Sequence, residues 1–83
     1  MTAIPLDPLT IAGFVGAAVV IVAYFANQMR WLSAEDWRFP LSNLVGAALI
    51  LASLTTQWNF PSVVIEVFWI AISLLGLVRA ISG

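Results

Sequence analysis

The sequence predicts an all-α integral membrane protein, a three-helix bundle with its N-terminus outside and its C-terminus in the cytoplasm. Three observations carry that expectation. Uncharged apolar runs occupy residues 9–26, 39–54 and 60–78 of the 83, and Glu66 is the only charge inside any of them. Hydrophobic residues make up 63% of the chain and charged residues 8%, against roughly 25% charged in a soluble domain, so there is too little polar surface to hold the apolar area in water. All three basic residues, Arg30, Arg38 and Arg79, lie on one side of a chain that crosses three times, which the positive-inside rule makes cytoplasmic.

A bilayer core of about 30 Å takes roughly 20 apolar helical residues. Counting flanking aromatic and small polar residues, spans are expected at about 9–27, 37–57 and 60–79 within a single membrane domain, 1–83. Hydrocarbon leaves backbone groups no partner but each other, so each span is helical.

In the first span, Asp7 is placed to cap and Pro8 suits the first helical position. No basic residue precedes this run, and its length exceeds a signal-peptide core, so it reads as a retained span. The first connection holds Ser33-Ala34-Glu35-Asp36, a capping-box pattern that can open the second helix early. Pro40 would then kink that helix near Arg38-Phe39. The second connection is Gln57-Trp58-Asn59-Phe60, and Pro61-Ser62 opens the third helix. Trp31, Trp37 and Trp58 fall at the expected membrane boundaries, where the amphipathic indole ring is favoured.

Val15-Gly16-Ala17-Ala18 recurs as Val45-Gly46-Ala47-Ala48. The two copies run in opposite directions, so a duplication would be an inverted repeat. Convergence on small residues is the preferred account.

The composition also excludes chemistry. There is no Cys and no His, which removes thiolate and imidazole metal ligands and the commonest general base. Ser and Thr have no base to activate them and there is no Lys, so no enzyme, catalytic set, cofactor or metal is expected. A net charge of −1 argues against a nucleic-acid partner.

Read at spacings of three and four, each helix gathers its small and polar residues on one stripe. Gly13, Gly16 and Ala17 pack helix 1, Gly46 and Ala47 pack helix 2, and Gly76 packs helix 3; small residues of this kind let membrane helices approach closely. Tyr24, Asn27, Gln28, Asn43, Glu66, Trp69 and Ser73 are the intramembrane polar or interaction candidates. Tyr24, Asn27, Asn43, Glu66 and Ser73 are expected to line a small polar cavity. A carboxylate at a helix centre costs about 3 kcal/mol on insertion scales; Glu66 lies near the outer edge, where the cost is lower. Intramembrane acids of this kind mark proton or substrate sites or contacts to a partner.

The pattern Ala12-Gly13-Phe14-x-Gly16, Ala23-Tyr24, Gln28, then Asn43-Leu44-x-Gly46-Ala47, then Asn59-x-Pro61-Ser62, Glu66-x-x-Trp69-x-x-Ile72-Ser73-x-x-Gly76 resembles a family of short, uncharacterised bacterial three-helix membrane proteins, often labelled permease-like. The layout is also similar to the semiSWEETs, three-helix half-transporters of sugars that work as dimers. Those carry a Pro-Gln hinge at the cytoplasmic end of helix 1; here the matching positions are Asn27-Gln28, so the Gln is present and the hinge proline is not.

The expected role is a structural or accessory subunit of the bacterial cytoplasmic (inner) membrane, a multi-pass protein whose partners are the lipid bilayer and other membrane subunits or itself. The alternative is a semiSWEET-like half-transporter working as a homodimer.

Overall fold

The computed structural model describes residues 7–82, which form three helices and no strand: α1 (Pro8–Gln28), α2 (Arg38–Ser53) and α3 (Phe60–Ser82). Their 21, 16 and 23 residues correspond to lengths of about 32, 24 and 35 Å. α1 and α3 are long and apolar enough to cross a membrane, and α2 is a shorter apolar helix.

Local chemistry accounts for each end. Asp7 caps α1 by accepting the Thr10 backbone N–H at 2.9 Å and the Thr10 hydroxyl at 3.1 Å, with Pro8 as the first helical residue. At the other end Arg30 adopts the left-handed conformation (φ 64°). Its N–H donates to the Asn27 carbonyl at 3.0 Å, and the Trp31 N–H donates to the Ala26 carbonyl at 2.9 Å. This is the paired closure of a Schellman motif, with arginine where glycine is usual. Asn27 secures the following turn, its Nδ2 donating to the Leu32 carbonyl at 3.0 Å.

The start of α2 differs from expectation. No helix follows Ser33, and no kink forms near Arg38-Phe39. Residues 34–37 are turns, and α2 begins at Arg38. Asp36 does the capping: it accepts the Arg38 backbone N–H at 2.9 Å and pairs with the Arg38 guanidinium at 2.9 Å. Pro40 therefore lies in the first helical turn, where a missing N–H leaves nothing unpaired. The Ser33 hydroxyl instead donates to the Glu35 carboxylate at 2.7 Å.

α2 also ends earlier than the expected span. Past Ser53 the chain tightens into turns, and the Thr55 and Thr56 hydroxyls donate to the Ala52 and Ser53 carbonyls at 2.7 and 3.1 Å. Those side chains satisfy carbonyls that a continuing helix would have used. α3 starts where Asn59 Oδ1 accepts the Ser62 N–H at 3.0 Å.

α2 is the shared partner. It packs against both α1 and α3, which do not pack against each other. The α1–α2 contact is a backbone contact. A Cβ added to Gly16 would come within 2.5 Å of the Gly46 carbonyl oxygen, and one added to Gly46 within 2.8 Å of the Gly16 carbonyl oxygen. The two copies of the Val-Gly-Ala-Ala segment thus meet at their glycines, reciprocally. Ala47 beside them is fully buried at 0% exposure. Gly13 is equally tight, since its Cβ would meet the Ser53 side chain at 2.6 Å. Gly76 on α3 is looser, and a Cβ there would reach Pro40 at an ordinary 3.4 Å. At the far end from the Asp36 turn, Gln57 donates weakly to the Thr10 hydroxyl at 3.4 Å.

Two outcomes follow. Gly16→Ala and Gly46→Ala should each destabilise the folded protein by about 1–3 kcal/mol, because the overlap is with backbone that has no rotamer to yield. Gly76→Ala should be close to neutral. Reversible unfolding in mixed micelles measures all three, and equal losses at Gly16 and Gly76 would refute the assignment.

The second outcome concerns pH. The Thr10 backbone N–H holds the Asp7 carboxyl below the usual carboxylate range; desolvation pushes the other way, and the Thr10 hydroxyl adds to the lowering. A group lowered on folding contributes stability above its unfolded pKa and loses it as pH falls through its folded value. The protection factor of the Thr10 amide, its exchange rate taken relative to the intrinsic rate at each pH, should therefore fall below about pH 4. Asp7→Asn should remove that pH dependence while keeping most of the protection, since Asn caps as well as Asp.

Candidate functional site

Because α1 and α3 are held apart on either side of α2, a groove of about 620 Å³ opens between them. It lies toward the Asp36 end of the molecule. Tyr24, Phe25 and Gln28 line it from α1, Pro40 and Asn43 from α2, and Trp69, Ile72, Ser73 and Gly76 from α3. The walls are aromatic and aliphatic. Asn43 and Ser73 lie beneath them, 8% and 6% exposed, so they add little to a lining that is almost wholly apolar.

Asn43 is the anomaly. Its Oδ1 is buried and has no hydrogen-bond partner. A buried amide left unpaired costs about 1–3 kcal/mol, and helix packing alone offers no reason to keep one. Position 43 sits on α2 one helical turn before the Gly16–Gly46 contact.

The walls are set by neighbouring elements. Tyr24 follows the buried Ala23 and is itself 58% exposed, and Phe25 meets the Trp31 ring edge-on with centroids 5.7 Å apart at 78°. That edge-to-face contact is a favoured aromatic geometry, and it fixes one wall through the turn after α1. Trp31 therefore holds Phe25 as well as sitting where a boundary anchor was expected. Trp69 is 41% exposed on the opposite wall.

Of the expected polar set, the structure brings Tyr24, Gln28, Asn43, Trp69 and Ser73 to one groove. Asn27 is not among the lining residues, because its amide is engaged by the Leu32 carbonyl. Glu66 also lies off the groove, half-buried on α3 one turn before Trp69. The one ion pair among the described residues joins Arg38 to Asp36, so no basic side chain faces Glu66. Gly13, Gly16 and Gly46 serve the α1–α2 contact, with Ala47 buried and Ala17 half-buried. Phe25 and Pro40 were not anticipated as lining residues. Phe25 falls outside the small-and-polar stripe of its helix, and Pro40 drew notice only as a backbone constraint.

Among the described residues no group of His, Cys, Asp and Glu is placed to hold a metal ion. A second, shallower groove of about 470 Å³ on α1 and α2 is lined by Val15, Val22 and Ala26 with Ser42 as its polar member; it gathers no comparable constellation.

If Oδ1 is unpaired in the protomer, Asn43→Leu should raise protomer stability by about 1–3 kcal/mol, an increase that denaturant titration in micelles would detect. A loss of stability would show that the amide already has a partner.

A family model matches residues 9–83, and the chain belongs to that uncharacterised family. No curated protein and no solved structure matches it.

Proposed function

We propose that the protein is a multi-pass subunit of the bacterial cytoplasmic membrane that functions only in association, packing by its helix faces against itself or a larger membrane assembly. The observation that carries this reading is the open groove with an unpaired, buried Asn43 amide at its floor. In lipid no water is at hand to fill the groove. A neighbouring protein surface would cover it, and the core residues of the lone chain are few, with Ala23 and Ala47 the buried hydrophobic core residues among those described.

The N-terminus faces outward and the C-terminus the cytoplasm in this reading. Arg30 and Arg38 border the first connection and Arg79 lies in the last turn of α3, the arrangement the positive-inside rule favours. No catalytic role is assigned.

A second reading has its own support. Tyr24, Asn43, Trp69 and Ser73 converge on one groove from three helices, which packing alone does not require. A second copy facing that groove would enclose a polar path, as in a permease-like half-transporter. Helix 1 runs unbroken through Asn27 and Gln28, so any opening motion would come from movement between helices rather than from a bend in α1.

Native mass spectrometry after mild extraction should show the chain in a defined assembly, and a reporter fused after Gly83 should read the cytoplasmic side. A monomer in both mild detergent and lipid nanodiscs would overturn the association. An assembly of copies alone, with solute flux in proteoliposomes, would favour the second reading over an accessory role.

A further inference from the structure

The shape of the groove limits what can fill it. Its lining runs from Val20 to Gln28 on α1 and from Trp69 to Gly76 on α3, a length of about 12 Å at the helical rise. Over that length a volume of about 620 Å³ leaves a cross-section of roughly 50 Å², whereas a helix about 10–12 Å across needs roughly 80–110 Å². A neighbouring helix would therefore cover the groove without filling it. The lining is almost wholly apolar. Its length approaches the roughly 15 Å that one leaflet contributes to a hydrocarbon core of about 30 Å. Acyl chains are thinner than a helix and match the space in depth and polarity.

The charges at its cytoplasmic end select the headgroup. Arg30 follows Gln28 by two residues, on the turn that closes α1. On α3, Gly76 reaches Pro40 in the first turn of α2, and Arg79 lies one turn further on, on the face it shares with Gly76. The two arginines thus stand at the same end of the groove, one past each wall. Guanidinium groups are permanently charged in proteins. Neither has an ion-pair partner among the described residues, where Arg38 alone is paired, with Asp36. One further carboxylate lies at this end, Glu35, which accepts the Ser33 hydroxyl at 2.7 Å; the two free arginines outnumber it. Arg30 also holds a left-handed backbone position (φ 64°), where glycine carries no steric penalty, so a role for its side chain accounts for an arginine there. Trp31 and Trp37 are exposed at the same end, as residues at headgroup level are.

We propose that the groove holds an acyl chain of an anionic phospholipid of the cytoplasmic leaflet, its phosphate drawn between Arg30 and Arg79. Basic pockets between membrane helices on the cytoplasmic side recognise such headgroups. The inference rests on the membrane reading and its orientation, but not on what the protein assembles with, since a lipid here would lie beneath whatever surface covers the groove.

Native mass spectrometry tests it, using the full chain released from nanodiscs of equimolar phosphatidylglycerol and phosphatidylcholine with matched chains. Retained lipid should be enriched in phosphatidylglycerol by at least about fivefold, the factor that one arginine contributes near an anionic surface. Arg30→Gln and Arg79→Gln should each lower the enrichment by about that factor. Arg30→Gly should lower it too while leaving the fold at least as stable, because it relieves the left-handed position. Ile72→Trp, which narrows the groove and keeps both charges, should reduce the lipid retained; Ile72 is 64% exposed, so the larger side chain does not enter the protein core. No preference between the two lipids, enrichment unchanged in both arginine variants, or retention undiminished by Ile72→Trp would each overturn the proposal. A monomer that keeps the enriched lipid ends the association and leaves this inference standing; an assembly without it does the reverse. Recovery of the chain from lysate without detergent would end the membrane reading and this inference with it.

Discussion

The backbones of α1 and α2 touch where Gly16 meets Gly46, and the rest of the molecule is arranged around that contact. Neither residue has room for a Cβ. In the membrane setting proposed above there is no hydrophobic gain from bringing two apolar helices together, so association depends on close van der Waals contact and on interhelical polar pairing. Two glycines facing each other give the first. The second is scarce here, with a single long-range side-chain bond, Gln57 to Thr10, among the described residues.

Because α1 and α2 are held this tightly, α3 is the freer helix. It meets α2 through Ser73, Gly76 and Pro40 and does not pack on α1. The groove is the result. A short α2, ended by threonine hydroxyls and begun by Asp36 with Pro40 in its first turn, spaces its longer neighbours apart. Pro40 then has two consequences at once: it is compatible with a helix start, and its ring, buried against α3, forms part of the groove floor.

Much of the site was legible in the residues. Tyr24, Gln28, Asn43, Trp69 and Ser73 all stand out in a sequence with so few polar groups, and a period of three to four puts each on an inward stripe. Glu66 and Asn27 show the limit of that reasoning. Periodicity assigns a face but not a depth or a partner. Asn27 lies on the expected stripe, yet its amide reaches a carbonyl five residues on, a bond created by the left-handed turn at Arg30. Nothing in an arginine signals that turn, because glycine is the residue that usually marks it. Phe25 and Pro40 escaped notice for the opposite reason: their residue types suggest lipid contact and backbone constraint, not a groove wall.

The three glycine-bearing helices illustrate what local information can and cannot decide. Residue type and spacing alone determined that the chain forms three apolar helices, that Asp7 starts the first of them, and that each has one face rich in small residues, since these depend on contacts within a few residues. Which of those faces meet was decided only by the tertiary structure. Gly16, Gly46 and Gly76 are equivalent as letters, but two form a backbone contact and the third leaves space for a methyl group. That difference, and the groove it opens, arises from the fit of whole helix surfaces against one another, a property no single stretch of sequence contains.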